Sequence, residues 1–389
     1  MQKKSCGFFS RASELQRAPF INLPLHTGRA PAYLVRRMIR MSHAMSKVII
    51  DEYGQVEFLR RLSDPLWFQA FGCVLGFDWH SSGVTTVVSG VLKQALKLDV
   101  HGISIAGGKG KKSTSAKTDI LLLAENFGLS SAKIDSLLYA NRMAAKVDTA
   151  AVQDGYSLYH HVILFDKCGN WAVVQQGMNA ENGMARRYHW FSDNVQNFVR
   201  EPHTGIISEK KNPCALDMTA AQSQENQKVC VDLAKSDTNN LKSSVYRLAA
   251  RDTLDRWLGG DMVVDVVNTS GYEMPRRLDW ALFKRIYDVQ PGSYEELLSI
   301  PGVGGATVRA LSLIAELIYG AKASWSDPVK YSFAHGGKDG VPYPIARKVY
   351  DESIRYLYGA IEGAEIEREE RTDALKKLAS FTTRMFPGQ

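Results

Sequence analysis

The sequence has few cysteines, and their spacing does not suit a disulfide framework or a zinc ribbon. The five cysteines are Cys6, Cys73, Cys168, Cys214 and Cys230. Their number is odd and no two of them form a Cys-x-x-Cys pair, which argues against a disulfide-rich secreted domain and against a zinc ribbon. The sequence therefore favours a reducing compartment, and we expect a cytoplasmic protein.

Long hydrophobic runs are also missing. No apolar stretch approaches the roughly 18 residues that span a bilayer. The first 19 residues include basic side chains but lack the apolar core of a secretion signal. We expect no membrane partner, and we expect residues 1–21 to form a flexible extension.

The composition is that of a globular protein with a mild excess of positive charge. Hydrophobic residues make up 45% and charged residues 23% of the 389 residues, which is enough for two or three domains with full cores. The formal net charge is +7 and the pI is about 9.0. This charge gives modest support for a polyanionic partner such as a nucleic acid.

Hydrophobic periodicity predicts an α+β protein. Apolar residues recur at helical spacing over residues 32–62 and 84–97, and again over residues 117–127 and 130–148. The Gly-rich and Lys-rich stretch 103–116 is predicted to be a loop. β-branched and aromatic residues then predict a β-hairpin from two strands, at 156–166 and 171–176, that turn at Gly169-Asn170.

These patterns suggest a division of the chain into segments. We expect a mostly helical domain with a small β-hairpin or sheet unit at 22–205, which would hold the catalytic site. A polar linker region at 206–245 would lead to an all-helical domain at 246–361, and a charged terminal helix would occupy 362–389.

The segment 297–311 resembles the helix-hairpin-helix motif, which clamps nucleic acid without reading its sequence. Gly302 and Gly304 permit a tight turn, and Val303 between them is expected to pack beneath it. The second helix would begin at Gly305, and Thr307 follows in its first turn. The unpaired N–H groups there suit a phosphate of a DNA backbone. The alternative is a glycine-rich turn between two core helices.

A basic stretch provides a second candidate for phosphate contact. Lys109, Lys111 and Lys112 stand among glycines and serines. The nucleotide-binding pattern Gly-x-x-x-x-Gly-Lys-Ser/Thr does not fit, because no glycine precedes Lys112. We interpret the stretch as a flexible basic loop that binds phosphates, with a merely solvated loop as the alternative.

Two other clusters could carry chemistry. Asp78 and His80 lie two residues apart before a predicted helix, where they could bind a divalent metal or transfer a proton. The alternative is a loop that only caps the helix.

Polar residues on the predicted hairpin and just after it could form a catalytic site, in which an arginine binds a phosphate and a histidine acts as acid or base. They are His160, Gln176, Arg187 and His189. The alternative is a hairpin with a solvated polar face.

Several segments together resemble a prokaryotic family of uncharacterised proteins, the domain-of-unknown-function family 763. They are residues 23–31 with a Leu-Pro-Leu-His start, 60–65, the Gly-Phe-Asp-Trp-His-Ser-Ser-Gly segment 76–83, Gln-Gln-Gly-Met at 175–178, and Ala-His-Gly-Gly-Lys-Asp-Gly at 334–340. The resemblance extends over residues 22–358 and implies a bacterial or archaeal origin. The segment before Pro19 is longer than such proteins require, so a later start codon is expected.

The sequence thus predicts a DNA-binding protein, with DNA repair or processing as its setting. The first hypothesis is a nuclease assisted by Mg²⁺ or Mn²⁺, in which Asp78 and His80 bind the metal. The second is a non-catalytic DNA-binding module that recruits partners. The third is a glycosylase of the helix-hairpin-helix class, for which Asp327 would be the essential carboxylate. The oligomeric state is left open.

Overall fold

A computed structural model describes residues 31–77, 82–208, 211–258, 273–329, 331–332 and 347–385. The helices are α1 (Ala32–Leu62), α2 (Pro65–Val74), α3 (Gly83–Ala95), α4 (Leu98–His101), α5 (Lys111–Thr114), α6 (Ala116–Phe127), α7 (Ser131–Lys146), α8 (Gln224–Ala234), α9 (Thr238–Leu258), α10 (Trp280–Val289), α11 (Tyr294–Ser299), α12 (Gly305–Tyr319), α13 (Arg347–Gly363) and α14 (Arg368–Met385). The strands are β1 (Ile103–Lys109), β2 (Val152–Gln153), β3 (Ser157–Asp166), β4 (Trp171–Asn179), β5 (Met184–Phe191), β6 (His203–Ser208), β7 (Leu216–Asp217) and β8 (Tyr331–Ser332). The predicted α+β class is confirmed. The predicted extension, residues 1–21, lies outside the described residues.

One mixed sheet organises the fold. Its strand order is β1-β3-β4-β5-β6-β8; all pairs are antiparallel except β6 with β8. The predicted hairpin is confirmed as β3 and β4, and its turn contains Gly169 at φ +89°. The Asp166 carboxylate accepts hydrogen bonds from two backbone N–H groups of that turn, at 2.8 Å from Cys168 and 3.0 Å from Asn170. The sheet is larger than the small unit that the sequence predicted.

Helices cover both faces of the sheet. Helices α1, α2, α3, α13 and α14 pack on one face, where Val162 and Val174 are buried. Residues of α6 to α12 pack on the other, where Ile163 and Val173 are buried. Neighbouring residues of one strand project to opposite faces, so each strand supplies side chains to both cores. The two faces therefore hold separate sets of polar side chains.

The prediction of a loop over residues 103–116 is wrong. Residues 103–109 form β1, which pairs with β3, and α5 follows directly. Ile103 and Ile105 are buried beneath the first helical layer, as in an ordinary strand. The strand was missed because Gly107 and Gly108 interrupt its hydrophobic pattern.

The segment 206–245, predicted as a polar linker, contains the end of β6, β7, α8 and the start of α9. Its polar side chains bind backbone carbonyls inside the fold. Asn226 Nδ2 donates to the carbonyls of Ser312 at 3.0 Å and Ala321 at 2.6 Å, and buried Gln227 binds two further carbonyls. The polarity of this segment thus serves buried hydrogen bonding as well as solvation. The division of the chain into domains stays a prediction.

Helix α14 lies within the segment predicted as a charged terminal helix. Its charged side is exposed, while Ala374, Leu378 and Phe381 are buried in the core that contains α1 and α2. None of the described helices has the length and apolar character that crossing a membrane requires.

We expect Gly107→Ala to be strongly destabilising. Gly107 has φ +93°, and a Cβ atom there would lie 2.3 Å from the carbonyl oxygen of His161 on β3. Gly128 is a matched control, since it has φ +65° but an added Cβ would meet nothing within 4 Å. The Gly107 variant should lose about 2 kcal/mol more unfolding free energy than Gly128→Ala. Urea unfolding followed by circular dichroism measures both, and equal losses would contradict the pairing of β1 with β3.

Candidate functional site

Four of the predicted catalytic residues lie on one face of the sheet. His160 on β3 is in register with Gln176 on β4, and Gln176 is in register with Arg187 on β5. Residues paired across neighbouring strands project from the same face, so these three side chains form a row beneath α2 and α3. His189 lies two residues further along β5 and projects from that face too. We call these four residues the buried row.

Gln176 links the buried row to the start of α3. Its side-chain oxygen accepts a hydrogen bond from the Thr85 hydroxyl, and its amide nitrogen donates to the carbonyl of Ser82 at 2.9 Å and to the Tyr159 hydroxyl. Gln176 has no exposed surface. Ser82 is the first described residue after 78–81, so Gln176 contacts the chain directly after the segment that contains Asp78 and His80.

Arg187 is fully buried in the centre of the row. Among the described residues, its hydrogen bonds go to neutral oxygens: Gln69 Oε1 at 3.1 Å, the Pro65 carbonyl at 3.3 Å and the Thr85 hydroxyl at 3.4 Å. The guanidinium also lies 4.8 Å from the centre of the Phe68 ring. Burial lowers the pKa of Arg187 to about 9. An arginine without a carboxylate among its observed partners is electrostatically suited to an anion.

The two histidines of the row are neutral near pH 7. Burial lowers the pKa of His160 to about 3, and burial followed by the charge of Arg187 lowers that of His189 well below its usual value. His160 Nε2 lies 3.2 Å from the Ser89 hydroxyl, and His189 Nδ1 donates to the Leu62 carbonyl at 3.2 Å. At 1% and 0% exposure, neither ring is open to bulk solvent.

A second polar network occupies the opposite face. The Asp148 carboxylate accepts hydrogen bonds from Gln175 Nε2 at 2.6 Å, Trp190 Nε1 at 3.0 Å and His203 Nε2 at 2.5 Å. Because the Gln175 nitrogen points to a carboxylate, its oxygen faces His161 Nδ1, at 2.8 Å. The adjacent histidines of β3 thus face opposite sides of the sheet, because neighbouring side chains of a strand alternate, and only His160 joins the row.

Asp327, the carboxylate of the glycosylase hypothesis, belongs to a buried ion cluster. Arg186 binds it through both guanidinium ends, at 3.0 and 2.7 Å, and also binds Asp154 at 2.7 Å. The Tyr188 hydroxyl donates to Asp154 at 2.7 Å. The backbone N–H of Asn212 donates to Asp327 at 2.6 Å. Arg186 and the Asn212 N–H therefore hold the Asp327 carboxylate in place in the fold.

Helices α11 and α12 are joined by the predicted glycine turn. Gly302 has φ +95°, a conformation that favours glycine, and Val303 is fully buried under the turn as predicted. Gly304 precedes α12 without a side-chain cap, and among the described residues no side chain is found bonded to the N–H groups of the first turn. Thr307 differs from the prediction in one respect: its side chain is buried, so only its backbone could contact a ligand.

A groove and a cavity meet beside this turn. The groove, of about 570 Å³, is lined by Gly305 and Arg309 of α12 together with Gln153 and Thr149. Gln153 bridges the groove, because its side chain donates to the Gly305 carbonyl at 2.9 Å and accepts from Arg309 Nε at 2.7 Å. Thr149 also lines the cavity, of about 680 Å³, that lies between α5, α7 and β3.

The basic stretch lies on the far side of that cavity. Lys109, Lys111 and Lys112 are exposed, at the end of β1 and in α5. Ser113 and Thr114 of α5 line the cavity itself. Lys111 and Lys112 directly precede these two cavity residues in α5, and the exposed lysines can reach a phosphate from solvent.

Asp78 and His80, the predicted metal ligands, lie outside the described residues. Within the part of the chain that the structure describes, no group of three or more His, Cys, Asp or Glu side chains is placed to hold a metal ion. The divalent metal therefore stays a prediction tied to the 78–81 loop.

The sequence analysis did not single out the cavity residues on α7 and just after it. Arg142 and Lys146 on α7, and Thr149 three residues beyond it, line the cavity together. Arg142 and Lys146 are four residues apart on one helix, where two like charges repel each other. This unfavourable spacing was the signal in the sequence that could have indicated an anion site. What the sequence could not indicate was that β3 and α5 enclose the same space.

Comparison with known proteins identifies the family. The family model described as "Protein of unknown function (DUF763)" matches residues 19–345, which confirms the predicted resemblance. No curated protein and no solved structure matches the chain.

Proposed function

We propose that this chain, which belongs to the DUF763 family, is a protein that binds the DNA backbone along one continuous surface. One observation carries the proposal. The two segments predicted to contact phosphates, the α11–α12 turn and the β1–α5 stretch, lie on either side of Thr149, which lines both the groove and the cavity. Two phosphate-binding segments distant in sequence would thus serve one strand.

The start of α12 supplies the chemistry of a helix-hairpin-helix contact. Its first N–H groups lack a side-chain cap, and the positive end of the helix dipole lies at the same place. A Cβ atom on Gly302 would lie 3.1 Å from an Arg285 guanidinium nitrogen, so this exposed cation stands against the turn. Backbone donors and a cation together suit a phosphodiester in the absence of base-specific contacts.

Metal-assisted phosphodiester hydrolysis is the activity that we propose for the bound DNA. The supporting observation is the hydrogen bond from Gln176 to the carbonyl of Ser82, a residue that follows Asp78 and His80 closely in the chain. In this proposal Asp78 and His80 bind Mg²⁺ or Mn²⁺, and Arg187 is the cation that the buried row would contribute. Metal and arginine would both stabilise the charge that develops on a phosphoryl oxygen.

The other two hypotheses make different demands. A non-catalytic recruitment module needs only the surface at α12, and wild-type protein would then bind DNA and leave it intact. A glycosylase would need Asp327 at the reacting sugar, whereas its two carboxylate oxygens bind Arg186 and backbone N–H groups inside the fold. The geometry favours the backbone-binding nuclease over the glycosylase.

The binding surface is tested with Gly305→Asp. A Cβ at Gly305 would make only ordinary contacts, at 3.6 Å, and an aspartate in the first turn of a helix is favourable for folding. The new carboxylate would nevertheless repel a phosphate at this position. The affinity for a labelled DNA duplex, measured by fluorescence anisotropy at several salt concentrations, should fall about tenfold or more.

Gly359→Asp on α13 is the matched control. It adds the same charge at an exposed glycine where a Cβ meets nothing within 4 Å, and it should leave the affinity within about twofold of wild type. Equal losses of DNA affinity in the two variants, or an affinity that does not fall as salt rises, would contradict the proposed DNA-binding surface.

Hydrolysis is tested separately, on a denaturing gel with Mg²⁺, Mn²⁺ or a chelator. Metal-dependent cleavage should disappear in His80→Ala while binding is retained.

A further inference from the structure

The cavity between α5, α7 and β3 has an unusual electrostatic character. Lys117, Arg142 and Lys146 line it, and Asp135 is the single carboxylate among the described residues of its lining. Within the described chain, none of the three cations forms an ion pair with a carboxylate, although the Arg142 guanidinium lies 5.4 Å from the centre of the Tyr139 ring. The cavity therefore concentrates positive charge that the described protein does not neutralise.

One of the cations, Lys146, is half-buried, whereas Lys117 and Arg142 are exposed at the mouth of the cavity. Burial, and next the charge of Arg142, lower the pKa of Lys146. Holding two cations close together in a half-buried site costs free energy, and a bound anion would recover it. A phosphate monoester carries about two negative charges near neutral pH, compared with one on an internal phosphodiester. A cluster of three cations therefore matches a terminal phosphate better than an internal one.

The remaining walls suit a nucleoside. Leu138, Tyr139 and Leu158 provide apolar surface beside the cations. The side-chain amide of Asn141 lies 2.7 Å from His161 Nε2. His161 in turn is held by Gln175, which donates to Asp148, so the amide is fixed by a buried network instead of being free to rotate. A volume of about 680 Å³ lies within the range of small-molecule sites and is ample for one nucleotide.

We propose that this cavity binds the phosphorylated terminal nucleotide of a DNA strand. Lys117, Arg142 and Lys146 would contact the phosphate, and Leu138, Tyr139 and Leu158 would pack against the sugar and base. The path from the α12 groove past Thr149 brings the strand to the cavity, so the inference rests on the proposed function. The cavity would give a preference for phosphorylated strand ends to a surface that otherwise contacts only the DNA backbone.

The cavity is tested directly with mononucleotides, without any DNA. Isothermal titration calorimetry should show binding of a deoxynucleoside 5′- or 3′-monophosphate. The nucleoside and inorganic phosphate should each bind at least about tenfold more weakly than the monophosphate. The 5′ and 3′ forms show which strand end is accepted. Lys146→Met should weaken monophosphate binding about tenfold or more, whereas the control Lys133→Met, exposed on the same helix, should leave it unchanged. Absence of monophosphate binding, or equal behaviour of the two variants, would overturn the proposal.

A DNA experiment separates this inference from the proposed function. The wild type should bind a duplex with phosphorylated ends about tenfold more tightly than one with hydroxyl ends. Lys146→Met should lose that preference and retain its affinity for hydroxyl ends. Gly305→Asp should bind both duplexes poorly and still bind the mononucleotide. If Gly305→Asp leaves DNA affinity intact while the mononucleotide still binds, the DNA-binding role of the α12 groove is contradicted and the nucleotide site in the cavity is supported. No end preference in the wild type would overturn the inference alone.

Discussion

Replacing Arg186 by methionine is expected to reduce the free energy of unfolding by about 3–5 kcal/mol, because it leaves two carboxylates buried without their cation. Arg186 has no exposed surface, and its partners Asp154 and Asp327 are 1% and 2% exposed at their side chains. Methionine fills a similar volume, so the loss of charge dominates over the loss of packing.

The cluster is placed where several segments of the fold meet. Arg186 lies on β5, Asp154 follows β2, and Asp327 follows α12 and the isolated bridge at Ser324. The Tyr156 ring lies against the guanidinium, 4.4 Å from its central carbon. Losing Arg186 should therefore loosen the contact between the sheet and the segment after α12, beyond its effect on β5.

Chemical denaturation at pH 7 measures the effect, with Arg186→Lys and Asp327→Asn as comparisons. Arg186→Lys retains the positive charge but not the bidentate geometry of the guanidinium, so this variant should be destabilised less than Arg186→Met. Adding Asp154→Asn and Asp327→Asn to Arg186→Met should recover part of the loss and provides a measurable form if the single variant does not fold. A loss below about 1 kcal/mol in Arg186→Met would contradict a buried, cation-dependent cluster.

Acidification is expected to destabilise the folded protein, with His160 as a main contributor. The pKa of His160 is about 3 in the fold and 6.5 as its ordinary value. Below pH 6.5 the His160 imidazole is therefore protonated in the unfolded chain but stays neutral in the folded protein. The stability that neutral His160 contributes is present above pH 6.5 and is lost progressively as the pH falls toward 3.

The size of the effect follows from linkage. Each such group changes the free energy of unfolding by about 1.4 kcal/mol per pH unit within its window, and His160 alone accounts for about 5 kcal/mol when the window has been crossed. His189 and His161, whose pKa values are also lowered by burial, act in the same direction. Buried carboxylates such as Asp154, whose pKa is raised, act in the opposite direction.

Comparing variants isolates the contribution of His160. Unfolding by urea between pH 5 and 7 should show a slope that is smaller by about 1.4 kcal/mol per pH unit below pH 6 in His160→Gln. Ser89→Ala is the matched control, since it removes the hydrogen bond to His160 but leaves the titrating ring in place. It should reduce stability at every pH and leave the slope unchanged. An unaltered slope in His160→Gln would mean that this ring takes up its proton in the folded state.

The local patterns of the sequence predicted the regular elements well. Helical spacing gave α1 and α7, and the Asp64-Pro65 pair begins α2 with the Asp64 carboxylate accepting from two backbone N–H groups at 2.8 Å. The β-branched run gave β3 and β4 with their turn. Strand β1 was not predicted because Gly107 and Gly108 interrupt its hydrophobic pattern. The close approach of the His161 carbonyl on β3 explains the glycine at 107, and no local pattern indicates that contact.

For the candidate sites, the sequence predicted residue types but not their environments. His160, Gln176 and Arg187 were singled out for their polarity, and their alignment into one row depends on strand register, which pairs residues from three strands. Their burial depends on α2 and α3, which close over that face. The cavity cations of α7 were not singled out, since α7 is an ordinary amphipathic helix until β3 and α5 face it.

The sequence by itself determined several helices, the hairpin of β3 and β4 and the glycine turn before α12, because these depend on backbone geometry and on spacings of two to four residues. Only the tertiary structure decided that Arg187 would be buried among neutral oxygens, that Asp327 would be held by Arg186, and that Thr149 would join the groove to the cavity. Those outcomes depend on which distant segments exclude water from a side chain, and such contacts form between residues that no local pattern relates.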